Sequence, residues 1–344
     1  MTETESFQLP LFAGVDVGGT NVKVGIVDDL GAIVADTKFP TQPNESPDVA
    51  VKQAKQELEE LLSSQGFSWN DVAAVGVGTP GPMDIKQGMI LTPTNLPGWH
   101  QYPIRDRLSH EVIKPVTFAN DAGAAAFGEY WVGGGQAFDN MVLLTLGTGV
   151  GGGIIVNDFS IDGEHSHGAE LGHVTIETGP EARMCGCGVA GHLEAYASAT
   201  ALVDRTKERL RLSDGAQSKL RTMANDTSPL SALMVSNAAE EGDELAYQMV
   251  METAGYLARG IAQLSHTIDP AAFILGGAMN FGGNHAKLGQ AFLQEIVSET
   301  RKVVFPVLGE RLVVRFAEVG SEAGFVGAAG LARSEYNRTA VVGK

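Results

Sequence analysis

An α/β fold of two similar lobes is predicted by three features of the sequence. Apolar runs of strand length alternate with longer segments of helical period, glycine turns stand at the ends of three of those runs, and a strand–glycine-turn–strand unit near the N-terminus recurs faintly 129 positions later. The 344 residues are enough for about two domains. A hydrophobic fraction of 44% against 19% charged supplies core material and argues against general disorder. Glycine, at 43 residues without a collagen period, is concentrated in turns beside apolar runs, where backbone can approach a ligand closely.

The elements read in order as follows. Leu11 to Val17, Val22 to Val27 and Ala32 to Phe39 are short apolar runs separated by Gly18-Gly19 and by Asp28-Asp29-Leu30-Gly31, the pattern of a β-meander. A loop over 40–47 leads to a helix over 49–64, which Asp48 is expected to cap, with Val51, Ala54, Leu58, Leu61 and Leu62 on one face. Val72 to Gly78 reads as a buried strand, Val116 to Ala119 as another, and Ala122 to Tyr130 as a helix. The second half begins like the first. Met141 to Leu146 and Gly153 to Val156 flank a glycine cluster, and the shift of 129 lays Asp16-Val17-Gly18 on Thr145-Leu146-Gly147 and Ile26-Val27-Asp28 on Ile155-Val156-Asn157. Helices are expected at 193–211, 229–241 and 243–267, then a strand over Ala271 to Leu275, a helix near 286–300, a strand near 311–317 and a helix near 322–334. The polar segment 213–228 reads as a loop, and the chain from Asn337 on as frayed.

A net charge of −17 argues against a nucleic-acid or anionic-membrane partner, since both need basic patches. No apolar stretch of ~20 residues offers a membrane span, and the acidic, polar start excludes a secretory signal. The two cysteines, Cys185 and Cys187, are one residue apart, so a disulfide between them would be strained. They point to a reducing, cytoplasmic setting and to metal.

The glycine turns carry the first chemistry. In Asp16-Val-Gly18-Gly19-Thr20-Asn21-Val-Lys23, exposed backbone N–H groups can cradle phosphate oxygens, Asp16 can hold Mg²⁺ through water, and Thr20, Asn21 and Lys23 add donors; an ordinary hairpin reads equally well. Gly147, Gly149 and Gly152 match G-x-G-x-x-G, but the β-branched run Ile154-Ile155-Val156 follows where a dinucleotide fold needs a helix. Gly147, Thr148 and Gly149 are therefore read as a second phosphate hairpin, and no P-loop motif occurs. Gly276-Gly277, after Phe273-Ile274-Leu275, reads alone as a plain turn; with the other two it points to a nucleotide cleft, near adenine or ribose.

Asp121 stands between a strand and a helix. Read locally it is first an N-cap and second a general base facing a cleft. Further on, Glu170 and Glu194 bracket His173, Cys185, Cys187 and His192, two sulfurs and two imidazoles that suit tetrahedral Zn²⁺, with two buried thiols and two satisfied histidines as the plainer reading. His165 and His167 read as solvated or cap-forming, not as ligands.

Together these motifs resemble the ROK family, which comprises sugar kinases, reading frames of unassigned role and repressors, over roughly residues 11–334. Asp16 to Asn21 looks like its first phosphate motif, and Leu146 to Gly153 with Ala169-Glu170-Leu171-Gly172-His173 like its signature. The loops Gly78 to Asp84 and Asn95 to Trp99 look like its sugar-domain loops, and Cys185 to Glu194 like its zinc loop. The resemblance implies an actin-like (ribonuclease H-like) two-lobed ATPase fold with a central cleft. The smaller lobe would be 1–121 plus 322–344, and the larger 122–321. It implies an ATP- and Mg²⁺-dependent hexose kinase, a glucokinase before a kinase for mannose, fructose, N-acetylglucosamine or N-acetylmannosamine, with polyphosphate as an alternative donor. Asp121 matches the catalytic base; Gly81, Asn95, Asn120, Glu170, His173 and Glu194 match sugar contacts; His173, Cys185, Cys187 and His192 would hold a structural zinc. Two departures stand out. His192 replaces the family's third zinc cysteine, and about ten residues before the first strand leave no room for a repressor's helix-turn-helix. A sugar-binding regulator without catalysis and an actin-like ATPase acting on protein are the readings of another class. The resemblance also suggests a homodimer.

Overall fold

A computed structural model of the chain describes residues 7–93, 95–212, 217–223 and 229–342. By packing, the chain divides into two compact units. The first takes the chain up to Asp139, the segment Gly153–Ala169 and the chain from Glu318; the second takes Asn140–Gly152 and Glu170–Ala317.

The first unit is built on a five-stranded sheet. β1 (Leu11–Val17), β2 (Asn21–Val27) and β3 (Ile33–Pro40) form the meander. α1 (Pro47–Ser64) follows, then β4 (Val72–Thr79), a small hairpin of β5 (Met83–Asp84) and β6 (Met89–Ile90), α2 (Ile104–Val112), β7 (Val116–Asn120) and α3 (Asp121–Val132). The strand order is β3-β2-β1-β4-β7, antiparallel on the meander side and parallel from β1 through β4 to β7.

Period-two alternation along β1 assigns its two faces. Leu11, Ala13, Val15 and Val17 join the core with Leu58 and Leu62 of α1 and Leu108 of α2. Phe12 faces the other way, onto the C-terminal helix, whose Phe325, Val326, Ala329 and Ala332 it meets. On that face small residues let backbone meet backbone. A Cβ placed on Gly14 would lie 1.9 Å from the Phe325 carbonyl oxygen, and one on Gly76 1.8 Å from that of Ala328.

The second unit holds β8 (Asn140–Leu146), with β11 (Ala272–Gly276) parallel beside it and β12 (Val314–Phe316) parallel to β11; β9 (Val150–Val156) starts in this unit and carries the chain back to the first, where β10 (Phe159–Ser160) pairs antiparallel with it. α4 (Glu194–Ala197), α5 (Ala199–Leu210), α6 (Leu220–Met223), α7 (Ala232–Glu240) and α8 (Glu244–Ile268) follow. Next come β11 (Ala272–Gly276), α9 (Lys287–Arg301), α10 (Pro306–Arg311) and β12 (Val314–Phe316), before α11 (Ala323–Val342) closes the first unit.

The repeat inferred from sequence is structural. Shifting the bounds of β1 and β2 by 129 gives the bounds of β8 and β9. Several expectations are corrected. Ser46 is the N-cap position of α1 with Pro47 in its first turn, and the Asp48 carboxylate instead accepts the Tyr102 hydroxyl at 2.6 Å. The expected helix 193–211 is broken at Ser198, whose hydroxyl accepts the Ala201 N–H and starts a new helix. α6 occupies part of the expected loop 213–228, of which 213–216 and 224–228 lie outside the described residues. α10 was not foreseen, and α11 runs to Val342 instead of fraying from Asn337. The packing division also differs from the expected boundary after residue 121. α3 belongs to the first unit because it lies flush against α11, so that a Cβ on Gly327 would fall 1.6 Å from the Ala124 carbonyl oxygen.

Candidate active site

In the first unit the sheet brings an acid pair together. Asp16 is the penultimate residue of β1, on the face that α11 covers, and pairs in register with Lys23 of β2. The first turn of α11 lies directly against it: a Cβ on Gly324 would sit 2.3 Å from Asp16 Oδ2, so only glycine leaves room for the carboxylate. Burial first, and then the neighbouring negative charge of Asp121, push the Asp16 carboxyl up to about 6, with Lys23 opposing. Lys23 is committed locally, since its ammonium donates to the Ser321 carbonyl.

Asp121 is not the cap of α3. The preceding Asn120 is, its Oδ1 accepting the N–H groups of Ala122 at 2.9 Å and Gly123 at 3.2 Å. Asp121 occupies the first helical position, and its Oδ1 accepts the Ala122 N–H at 2.8 Å. The end of β7 thus delivers a half-buried carboxylate whose charge is felt by Asp16. The Asn120 amide nitrogen faces Gly81, 4.0 Å from a Cβ placed there. Exposed Asn95 stands beside Gly19 at the same measure of 3.5 Å, on a loop anchored by buried Leu96 and Trp99.

The turn after β1 is closed by the Gly18 N–H donating to the Asn21 carbonyl at 2.9 Å. Thr41 braces it, donating its hydroxyl to the Gly18 carbonyl at 2.7 Å and its N–H to that of Thr20 at 3.0 Å. Thr41, buried and without a motif of its own, was not singled out from sequence, and Gly324 carried no local signal either.

The second unit repeats the turn and supports it differently. The Gly147 N–H donates to the Gly149 carbonyl at 3.0 Å, the Ala199 N–H to the Gly147 carbonyl at 2.8 Å and the Thr200 hydroxyl to the Thr148 carbonyl at 2.9 Å. Glu194 Oε2 accepts the Val150 N–H at 3.0 Å. Around Gly147 a Cβ would meet nothing within 4 Å, so the protein itself does not require glycine there. Gly277 is different: at φ +89° it passes the end of β8, where a Cβ would lie 2.3 Å from the Leu146 carbonyl oxygen. Gly276 ends β11 beside Thr145 and Ala317.

The same unit gathers the sulfur and imidazole ligands. The chain turns tightly from Cys185 to Val189, with Cys185 N–H bonded to the Val189 carbonyl at 3.0 Å, and isolated bridges tie Met184 to Ala190 and Thr175 to His192. Donor atoms of His173, Cys185, Cys187 and His192 consequently lie within 4.8 Å of one another, with Cys187 Sγ 3.2 Å from His192 Nδ1 and Cys185 Sγ 3.8 Å from His173 Nδ1. Two thiols and two imidazoles at that separation can hold a tetrahedral metal ion. Burial raises the Cys185 thiol to about 11, and its Sγ lies 3.6 Å from Glu194 Oε1. Glu194 therefore touches both the glycine turn and the ligand cluster. Glu170, exposed, stands at the N-cap position of the short 3₁₀ turn Leu171–His173 without a side-chain capping bond. Exposed His165 and His167 stand outside the cluster.

Among the described residues no helix is long and apolar enough to cross a membrane. Residues 12–335 match the ROK family. A glucokinase of Halalkalibacterium halodurans is 33% identical over 95% of this chain and 96% of its own length. The crystal structure of a ROK family glucokinase from Streptomyces griseus in complex with glucose and AMPPNP is similar at 35% identity and a TM-score of 0.74, covering 94% of this chain and 99% of that one. That of a ROK hexokinase from Thermus thermophilus is 30% identical with a TM-score of 0.79, covering 95% and 99%.

Proposed function

We propose, from the premise that the chain belongs to the ROK family, that it is an ATP-dependent hexose kinase acting on the C6 hydroxyl of glucose. The observation that carries this reading is the acid pair of the first unit: Asp121 at a strand–helix junction, electrostatically coupled to Asp16 at the edge of a glycine turn. The full-length likeness to glucokinases supports the same reading.

Asp121 is the general base. As the C6 oxygen attacks the γ-phosphorus in line, the C6 O–H bond breaks and its proton passes to the Asp121 carboxylate. The new oxygen–phosphorus bond forms while the bond between the γ-phosphorus and the β–γ bridging oxygen breaks, and ADP leaves. Little covalent chemistry falls to the protein, so positioning and charge neutralisation dominate. Asn120 is pinned by its capping bonds and keeps its amide nitrogen for a sugar hydroxyl, with Gly81 and Asn95 on neighbouring loops. Glu170 and Glu194 are acceptors for ring hydroxyls, because a carboxylate oxygen accepts more than one hydrogen bond, and His173 holds a further hydroxyl. The backbone of Gly18, Gly19, Thr20 and Asn21, and of Gly147, Thr148 and Gly149, serves the phosphates, and Gly276-Gly277 the nucleoside.

Asp16 would hold Mg²⁺, which when bound neutralises phosphate charge. The four-ligand cluster would hold a structural Zn²⁺ that fixes the loop carrying His173 and Glu194; the closeness of the four ligand atoms and the Cys₂His₂ chemistry support that fit. A cytoplasmic role in sugar catabolism accords with unpaired cysteines. The test is a panel of hexoses with ATP scored by ADP release. Glucose-dependent release is expected; release independent of any sugar, or none at all, would overturn the proposal.

A further inference from the structure

A loop of the first unit that none of the roles above uses is tied to the sugar-loop hairpin. Residues 161–168 form a closed loop, drawn together where the Gly168 N–H donates to the Asp162 carbonyl at 2.7 Å. Ser160 Oγ donates to Asp162 Oδ1 at 3.0 Å and braces its root. From its tip Ser166 reaches across 81 positions of sequence and accepts the Ile85 N–H on its hydroxyl oxygen at 2.8 Å. Beside it Lys86 and Glu164 pair at 2.7 Å, but both are largely exposed, so that pair contributes little.

Ser166 does this at a cost. Its φ is +61°, and that of Ala169, one residue before Glu170, is +63°. Two left-handed residues without glycine, this close together, are backbone conformations that persist only when their surroundings hold them. What Ser166 holds is the turn between β5 and β6. That hairpin is fastened at its base by the Leu91 N–H donating to the Pro82 carbonyl at 2.9 Å. It leads directly to Gly81, which faces Asn120, the residue that caps α3 and sets Asp121 at its first position.

We infer that Ser166 is a positioning residue for sugar binding: its hydroxyl holds the 82–91 hairpin, and with it Gly81 against Asn120, without touching the reacting atoms. The inference rests on the sugar-kinase reading.

The test is Ser166→Gly, which removes the hydroxymethyl group and relieves the left-handed strain. KM for glucose is expected to rise about three- to thirtyfold, the scale of one hydrogen bond whose loss leaves an N–H unsatisfied. kcat should stay within about twofold and KM for ATP should not move. Ser166→Asn, which tolerates positive φ and restores an acceptor, should recover most of the glucose affinity. Amide exchange at Ile85 should quicken in the glycine variant. An unchanged KM for glucose, or equal rises in both KM values, would overturn the inference while leaving the kinase reading standing. A wild-type protein that phosphorylates no sugar would overturn the kinase reading, and the inference with it.

Discussion

The two glycine hairpins have one backbone design and two chemistries. β1–β2 and β8–β9 coincide strand for strand under the shift of 129, and in each the first glycine N–H closes the turn. Where the first has Asp16 before its turn, the second has Thr145. Where the first is braced by a threonine from the end of the meander, the second is braced from the start of α5 and by Glu194, which also reaches the cysteine–histidine loop. The repeated hairpin is thus asymmetric. One copy carries a carboxyl whose pKa burial raises, and the other is tied to the ligand loop.

The largest effect expected is at the acid pair. Asp121→Asn should lower kcat by roughly two to four decades while KM for glucose changes little, because the base acts only as the transition state is approached. Near-normal turnover in steady-state assays would take the role away from Asp121 and leave Asp16 as a lone structural acid.

Alanine in the second turn separates ligand from protein as the reason for glycine. At Gly149 a Cβ would meet Glu194 Oε2 at 2.3 Å, whereas at Gly147 it would meet nothing. Gly147→Ala should therefore keep its melting temperature and raise KM for ATP about tenfold, and Gly149→Ala should lose both stability and nucleotide affinity. An unchanged KM for ATP in Gly147→Ala would show that only the first hairpin serves phosphate.

The asymmetry should also appear in pH dependence. Asp16 takes up its proton near pH 6, so activity that needs its carboxylate should fall as pH drops through that value. Its folded-state pKa lies above the unfolded one. The group therefore disfavours the fold once pH exceeds the unfolded value, increasingly up to about 6 and by a constant amount above. Asp16→Asn should accordingly raise stability at neutral pH by about 3 kcal/mol at most, lower activity, and lose the acidic limb. An acidic limb that persists in this variant, read from kcat/KM against pH, would assign it to another group.

The smallest effect on chemistry is expected at the ligand cluster. Purified protein should contain about one equivalent of zinc, and chelation should lower the melting temperature more than His192→Ala lowers it in the already stripped protein. Less than a few tenths of an equivalent by metal analysis, with no response to chelation, would leave the four ligands as a metal-free cluster.

Much of this was legible along the chain because it depends on short-range rules. The meander, the 129-residue repeat and the long helix α8 follow from runs of fixed period, and Asp16, Gly18, Gly147 and the Cys185–His192 loop from motifs of contiguous residues. One misreading came where a neighbour distant in sequence decided, and two where adjacent residues competed to start a helix. Asp48 looked like a cap until Tyr102 claimed its carboxylate, and Asp121 looked like a cap although Asn120 holds the helix start. The helix near 193–211 looked continuous, but Ser198 inside it could start a new one.

Composition and periodicity by themselves settled the α/β class and the paired hairpins, because burial of apolar runs and the freedom of glycine are local properties. Only the tertiary structure decided that α11 returns from the far end of the chain to lay Gly324 against Asp16, that Glu194 is shared between a turn and a ligand loop, and that Ser166 holds Ile85. Most of those pairings join residues scores to hundreds of positions apart, and no local pattern encodes a contact whose partner is chosen by packing.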